Sequence, residues 1–324
     1  ALYTEIVHHL CITHYNTEQF SIAAHRNLRL SPITNLIFPH IKEVTLVNHT
    51  ADRILIGNGY ISKATALTKK GVVQLALQVM GTQDWKNWKP IEPISENHTF
   101  AKIANLFWDI VTDYVDDYIN EHRSEILKYW YEIYRFSQDL VNHSCPFFLC
   151  QYLTNMLLDE KGNYDANKAH WYENAQRMDL SIERPKVNGE LKSMSYITTA
   201  SRAEDVKEED FDQLKRACSF VIYQASFGHT WSNAKQYDDI GEVLYCSLGL
   251  RFGNSDEGAL GPENDMSIAP DLTRSTQMMW WSNMLSKTGY GFITKNEDND
   301  INPKLIAALK AKRQEFDTLG FDID

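Results

Sequence analysis

Two pairs of residues along this sequence have the types and spacing of metal ligands. His229 and Asn233 are four residues apart, which places both on one face of an α-helix. They continue an apolar stripe, so the imidazole and the carboxamide each need a buried partner or cost roughly a few kcal/mol. A shared metal ion would satisfy both side chains, and so would hydrogen bonds to neighbouring backbone groups.

The second pair, His9 and His14, is five residues apart near the start of the sequence. In a regular α-helix this spacing turns the two side chains about 140° away from each other. A π-bulge widens the helical turn and would bring both imidazoles to one face. The pair does not have the HExxH spacing of zinc proteases, and Glu18 lies too far along the chain to serve that motif.

Helices are the elements that must position these residues. Apolar side chains at helical spacing predict helices at about residues 2–28, 102–119, 125–140, 208–237 and 303–319, the last of them ended by Gly320. Strand signals are few, and the polar stretch at about 145–205 predicts a surface insertion. We therefore expect a mainly α-helical chain that forms one domain over residues 1–324.

Charge and composition exclude several classes of protein. The chain carries 43 acidic and 32 basic residues, a net charge of −11, which argues against nucleic acid as the main partner. No apolar run of about eighteen residues predicts a membrane span, so membrane contact would be peripheral at most. Five cysteines without CxxC spacing indicate a reduced protein. We expect a soluble protein, cytoplasmic or secreted, with no signal segment in this sequence.

The sequence around both pairs resembles the lipoxygenase family. His9, His14 and Glu18 are similar to the family's H-x4-H-x3-E. Residues 22–40 resemble its I-A-x-x-R-x-L and H-P-x-x-x-L-x-x-P-H, except that Ser31 replaces the first histidine of the second pattern, a position that does not bind metal. Residues 229–237 resemble H-A-A-V-N-F-G-Q-Y, and residues 54–61 resemble L-I-N-A-x-G-x-I. Residues 108–110 and 130–133 fall where the family has IWDAI-like and WW-x-E-I-like elements. The motifs occur in the family's order over most of the chain.

The resemblance implies a set of site residues. The metal ligands would be the neutral imidazoles of His9, His14 and His229, with the amide oxygen of Asn233 as a weaker fourth ligand. Glu5 and Gln236 would join the hydrogen-bond network around these ligands. Ile54 and Thr50 would line the substrate-binding site. Core packing explains Ile54 equally well. The same alignment buries Asn48, which argues against a functional glycosylation sequon there.

The resemblance also implies the fold and the chemistry. The fold would be a single helical domain built around long central metal-binding helices. The metal would be non-heme iron, or manganese as a second choice. A hydroxide bound to it would remove a hydrogen atom from a polyunsaturated fatty acid, and O2 would add to give a hydroperoxide.

Two alternatives stay open at this stage. Lipoxygenases close the metal site with the carboxylate of a C-terminal isoleucine, whereas Asp324 follows Ile323 here, and the family's catalytic domain starts well before the His9 helix. A fragment of the catalytic domain, or a catalytically silent relative that binds lipid or a partner, would explain both features. A metal hydrolase using the same histidines is disfavoured, because no carboxylate for a general base lies beside either motif in the sequence.

Overall fold

The described part of the chain is mostly helical, which confirms the predicted fold class. The computed structural model describes residues 3–53, 72, 75–76, 79–80, 85–146, 149, 186–187, 190–191, 195–233, 276, 279–280, 283 and 303–321. The first element is a π-helix, π1 (Tyr3–Tyr15), which continues directly into α1 (Asn16–Asn27).

Eight further α-helices, a second π-helix and a short two-stranded ladder follow among the described residues. They are α2 (Ile33–Ile41), α3 (Val44–Ala51), α4 (Thr99–Glu121), α5 (Arg123–Lys128), α6 (Trp130–Asn142), the antiparallel strands β1 (Lys186–Val187) and β2 (Glu190–Leu191), α7 (Glu208–Tyr223), the π-helix π2 (Gln224–Gly228), α8 (Pro303–Ala311) and α9 (Arg313–Thr318). A short 3₁₀ turn, Ala203–Asp205, precedes α7, and residues 229–233 continue the helix after π2.

The helix α4 shows why these sequences form helices. Its buried side chains recur every three or four residues and build one apolar face: Ala101, Ile103, Ala104, Phe107, Ile110, Val111, Tyr114, Val115, Tyr118 and Ile119. This face packs against α7 and α8. The stability of the helix therefore comes from tertiary burial more than from intrinsic propensity.

Helix α1 occupies the centre of the bundle and contacts α2, α3, α6 and α7. The buried ring of Phe20 lies between the rings of Phe136 on α6 and Phe220 on α7, with centroids 6.1 and 5.8 Å away. Each such ring contributes roughly 1.5–3 kcal/mol when it leaves water. Because π1 continues into α1, this packing also fixes the direction of π1.

Several predicted boundaries differ from the structure. The helix expected at 125–140 is interrupted at Tyr129, between α5 and α6, and the one expected at 303–319 is interrupted at Lys312. Gly320 has a φ of 73°, the left-handed conformation that ends helices, so the predicted stop is confirmed. Most of the predicted insertion at 145–205 and the strand signal at 54–56 fall outside the described residues.

No helix among these described residues combines the length and the hydropathy that crossing a bilayer requires.

A buried carboxyl group joins the end of α3 to the end of π1. The hydroxyl of Tyr15 donates a hydrogen bond to Oδ1 of Asp52 at 3.0 Å, and only 7% of Asp52 is exposed. Burial, and next the nearby carboxylate of Glu18, raise the pKa of Asp52 to about 7, although the hydrogen bond from Tyr15 opposes the shift.

Replacing Asp52 with asparagine is therefore expected to remove a pH dependence of stability. A folded-state pKa above the ordinary value of 3.8 means that the folded protein binds this proton more tightly than the unfolded chain does. The resulting stabilisation is complete below the unfolded pKa and is lost as the pH rises through about 7, by at most ~1.4 kcal/mol per pH unit.

Urea unfolding of the wild type and Asp52→Asn measures this effect. Between about pH 5 and about pH 7 the wild type should lose free energy of unfolding relative to the variant, and the difference should level off at higher pH. A difference that stays constant over the whole range would contradict the raised pKa of Asp52.

Candidate metal centre

Three imidazole rings from two distant parts of the sequence meet inside the helical bundle. Nε2 of His14 lies 3.2 Å from Nε2 of His9 and 3.0 Å from Nε2 of His229. One ring nitrogen from each histidine lies within 4.8 Å of the other two. In the described part of the chain, no other group of three histidine, cysteine or carboxylate side chains is close enough to share a metal ion.

The spacing of His9 and His14 is explained by the π-helical form of π1. Hydrogen bonds in a π-helix run over five residues, so side chains five apart lie on the same face. The two ring centroids are 4.9 Å apart. The prediction that a widened turn brings this pair together is confirmed, and it extends over the 13 residues of π1 rather than a single bulge.

A second π-helix positions the third imidazole. The helix π2 ends at Gly228, immediately before His229, and packs against π1. The ring centroids of His229 and His14 are 4.4 Å apart. The two π-helices therefore bring residues 215 positions apart in sequence into contact.

A hydrogen-bond chain holds these two helices in register. Nδ1 of His8 lies 2.9 Å from Oγ of Ser232, and the hydroxyl of Ser232 donates to the backbone oxygen of Gly228 at 2.8 Å. Because that hydroxyl proton is already used, Nδ1 of His8 is the donor to Ser232. Burial, and next the neighbouring His9, lower the pKa of His8 to about 4, which keeps its ring neutral near pH 7.

The protein environment also keeps the imidazoles of His14 and His229 neutral. Loss of solvation, and next the imidazole of His9, lower the pKa of His14 to about 3. Loss of solvation together with the two neighbouring imidazoles keeps the pKa of His229 well below its ordinary value. Neutral imidazoles offer the lone pairs that metal binding requires.

Two buried carboxamides flank His229 along its helix. Asn233 follows it by one turn, is 2% exposed, and neither its Oδ1 nor its Nδ2 has a hydrogen-bond partner. Gln224 precedes it by five residues in π2, is 1% exposed, and is also without partners at both polar atoms. A buried carboxamide without partners costs roughly 1–3 kcal/mol. Sequence analysis missed Gln224; its only signal was a polar residue between apolar positions of the stripe.

This set of donors fits a metal ion. Two imidazole nitrogens that bind one ion at about 2.1 Å lie roughly 3.0–3.4 Å apart. The Nε2 separations of 3.2 and 3.0 Å agree with that range. The arrangement can therefore hold a metal through three imidazole nitrogens. Asn233 lies one helical turn after His229 with its Oδ1 unpartnered, and its role as a fourth ligand stays a prediction.

A small cavity of about 70 Å³ reaches the imidazoles of His14 and His229. Apolar side chains of Val44, Val47 and Ala225 line much of it. Sites that enclose drug-sized ligands have volumes of roughly 300–1,000 Å³. This cavity therefore has room for a molecule as small as O2 and not for an acyl chain.

The other predicted site residues are not placed in the cluster. Thr50 lies on α3 with an exposed side chain, and its hydroxyl donates to the backbone oxygen of Leu46 at 3.0 Å. Ile54, Gln236 and the side chain of Glu5 lie outside the described residues. The roles of these four residues stay predictions.

Comparisons with known proteins identify related sequences. A family model described as lipoxygenase matches residues 1–90. The chain is 24% identical over 251 residues to linolenate 9R-lipoxygenase from Nostoc sp. strain PCC 7120, an alignment covering 76% of this chain and 26% of that protein. It is 26% identical over 293 residues to seed linoleate 9S-lipoxygenase-3 from Pisum sativum, covering 88% of this chain and 29% of that protein.

The fold has a counterpart among solved structures. The crystal structure of a 9R-lipoxygenase from Cyanothece PCC8801 superposes with a TM-score of 0.76 and 33% sequence identity, covering 98% of this chain and 46% of that one. The chain thus spans less than a third of the two curated relatives and less than half of the solved one. By motif, sequence and fold, this chain belongs to the lipoxygenase family.

Proposed function

We propose that this chain carries the metal centre of a non-heme metal dioxygenase that inserts O2 into a polyunsaturated fatty acid to give a hydroperoxide. The observation that carries the proposal is the meeting of the Nε2 atoms of His9, His14 and His229. The names of the Nostoc and Pisum relatives give linolenate and linoleate as substrates, which supports the choice of fatty acid.

In this proposal the three imidazoles bind the metal and Oδ1 of Asn233 is a weaker fourth ligand. Imidazole and oxygen donors suit iron, and manganese is the second choice. When bound, such a metal supplies the one-electron redox chemistry needed to remove a hydrogen atom from a doubly allylic carbon and let O2 add there. Because the lowered pKa values of His14 and His229 keep these two imidazoles neutral near pH 7, neither of them loses a proton when the metal binds.

The residues around the cluster would control what reaches it. The cavity beside His14 and His229 has room for a small molecule, and its lining combines the apolar Val44, Val47 and Ala225 with the charged Lys42 and Glu43. We infer that O2 uses this cavity, since its volume of about 70 Å³ does not fit a fatty-acid chain.

Metal analysis and oxygen uptake on one purified sample test the proposed function. We expect about one iron or manganese ion per chain, with O2 uptake and a conjugated-diene product from linoleate. Oleate, which has no doubly allylic carbon, is the matched control and should give no uptake. Bound metal without linoleate-dependent uptake would reject the dioxygenase activity. A chain that neither retains nor takes up either metal would instead support the silent, lipid- or partner-binding alternative.

A further inference from the structure

Asn48 on α3 is held beside the imidazole cluster by three hydrogen bonds. Its Oδ1 lies 2.7 Å from Nδ1 of His14. Its Nδ2 lies 2.9 Å from the backbone oxygen of His14 and 2.8 Å from Oε2 of Glu18. Asn48 is 1% exposed, so the predicted burial is confirmed and the sequon is closed to glycosylation in the folded protein. These three hydrogen bonds beside the cluster indicate a role for Asn48 other than glycosylation.

The contacts determine which end of the carboxamide faces His14. The backbone oxygen of His14 can only accept a hydrogen bond, and the carboxyl oxygen of Glu18 accepts as well. With the amide reversed, its oxygen would face both of these acceptors and lose both bonds. The NH2 group therefore points to them, and Oδ1 points to Nδ1 of His14. An amide oxygen cannot donate, so Nδ1 of His14 must carry the proton.

We propose that Asn48 is a positioning residue that fixes the Nδ1–H tautomer of His14 and so leaves the lone pair of Nε2 facing His9 and His229. A neutral imidazole carries one ring proton, so a proton on Nδ1 leaves Nε2 bare. In the other tautomer Nε2 would be protonated and could not bind a metal. The benefit to metal binding rests on the proposed function, whereas the tautomer itself is a property of the metal-free protein.

Glu18 anchors this arrangement from the next turn of α1. It is fully buried and lies four residues after His14, and Asn48 reaches both from α3. Glu18 is the acidic residue of the H-x4-H-x3-E pattern, and the structure places its carboxylate one carboxamide away from His14. Hydrogen bonds that orient a metal-binding histidine typically change metal affinity about 10–100-fold when they are removed.

Asn48→Ala tests the proposal, with Asn27→Ala as the matched control. Asn27 also donates from Nδ2 to a backbone oxygen, that of Ala23 at 2.9 Å, and to a carboxylate, that of Asp139 at 2.7 Å. The control therefore loses the same two kinds of bond without changing the contact at Nδ1 of His14. Circular dichroism and thermal melting of both variants check that each one is folded.

Two measurements read out the result. Nitrogen-15 NMR of the metal-free protein labelled at histidine should show His14 protonated at Nδ1 in the wild type and in Asn27→Ala, and as a mixture of tautomers in Asn48→Ala. Titration with cobalt(II), followed by its visible absorption, should show about 10–100-fold weaker binding in Asn48→Ala only. A proton on Nε2 in the wild type, or an unchanged tautomer in Asn48→Ala, would overturn the proposal.

The double variant Asn48→Asp with Glu18→Gln keeps the proposal testable if Asn48→Ala does not fold. It exchanges donor and acceptor between the two side chains, removes the bond to the backbone oxygen of His14, and still presents an oxygen to Nδ1 of His14. We expect the Nδ1–H tautomer to persist, and its loss would count against the proposal. If the wild type has this tautomer and binds no metal, the proposed function fails while the positioning role of Asn48 is supported by the NMR result.

Discussion

His229→Ala is expected to abolish metal binding and with it linoleate-dependent O2 uptake. The variant removes one of the three nitrogens that converge within 4.8 Å, and the two that remain both come from π1. Loss of a direct ligand should exceed the effect of losing an orienting hydrogen bond, so we expect metal affinity to fall more than about 100-fold. Elemental analysis of the purified variant and an oxygen electrode give the two readouts.

His25→Ala is the control for this experiment. His25 lies on α1, exposed to solvent, with its Nδ1 2.8 Å from the backbone oxygen of Ser21. Its replacement removes an imidazole from the continuation of the same helix without touching the cluster. We expect metal content and O2 uptake to match the wild type. Full metal occupancy or full activity in His229→Ala would refute the proposed ligand set.

Glu132→Ala is expected to cause the largest loss of stability, about 3–5 kcal/mol in the free energy of unfolding. Glu132 on α6 is 3% exposed, and its carboxylate accepts hydrogen bonds from three consecutive backbone N–H groups. Oε2 lies 2.9 Å from the nitrogen of Arg29, 3.0 Å from that of Leu30 and 3.0 Å from that of Ser31. These residues connect α1 to α2, so alanine would leave three N–H groups of this connection without their partner.

Urea unfolding measures the loss of free energy of unfolding. Two further variants serve as an intermediate case and as a control. Glu132→Gln keeps one acceptor oxygen of the same shape, so we expect roughly half the loss of the alanine variant. Glu125→Ala, at an exposed position on α5, should change the free energy of unfolding by less than about 0.5 kcal/mol. A loss below about 1 kcal/mol in Glu132→Ala would mean that water or other groups replace the carboxylate.

The motif that contains Glu132 indicated the family resemblance but not the hydrogen bonds that this side chain makes. Its position in the Trp130–Ile133 element marked it as part of the resemblance to lipoxygenases. The sequence offered no reason to connect it with residues 29–31, because they lie about one hundred positions earlier and belong to a connection with no periodic pattern. Only the packing of α6 against α1 brings the carboxylate to these backbone groups.

The sequence by itself determined the local features of this protein. Periodic apolar residues predicted the helices, and the four-residue spacing placed His229 and Asn233 on one face. The five-residue spacing of His9 and His14 indicated that these two would share a face only if the helical turn were widened. These features depend on contacts within a few residues, which spacing alone describes.

Tertiary structure decided how these pieces combine. The contact between π1 and π2, the reach of Asn48 from α3 to His14, and the unpartnered carboxamides of Gln224 and Asn233 depend on chain segments that approach only in the packed bundle. Periodicity shows which face of a helix is buried. Which other helix covers that face, and in what register, is set by the complementary packing of side chains far apart in sequence.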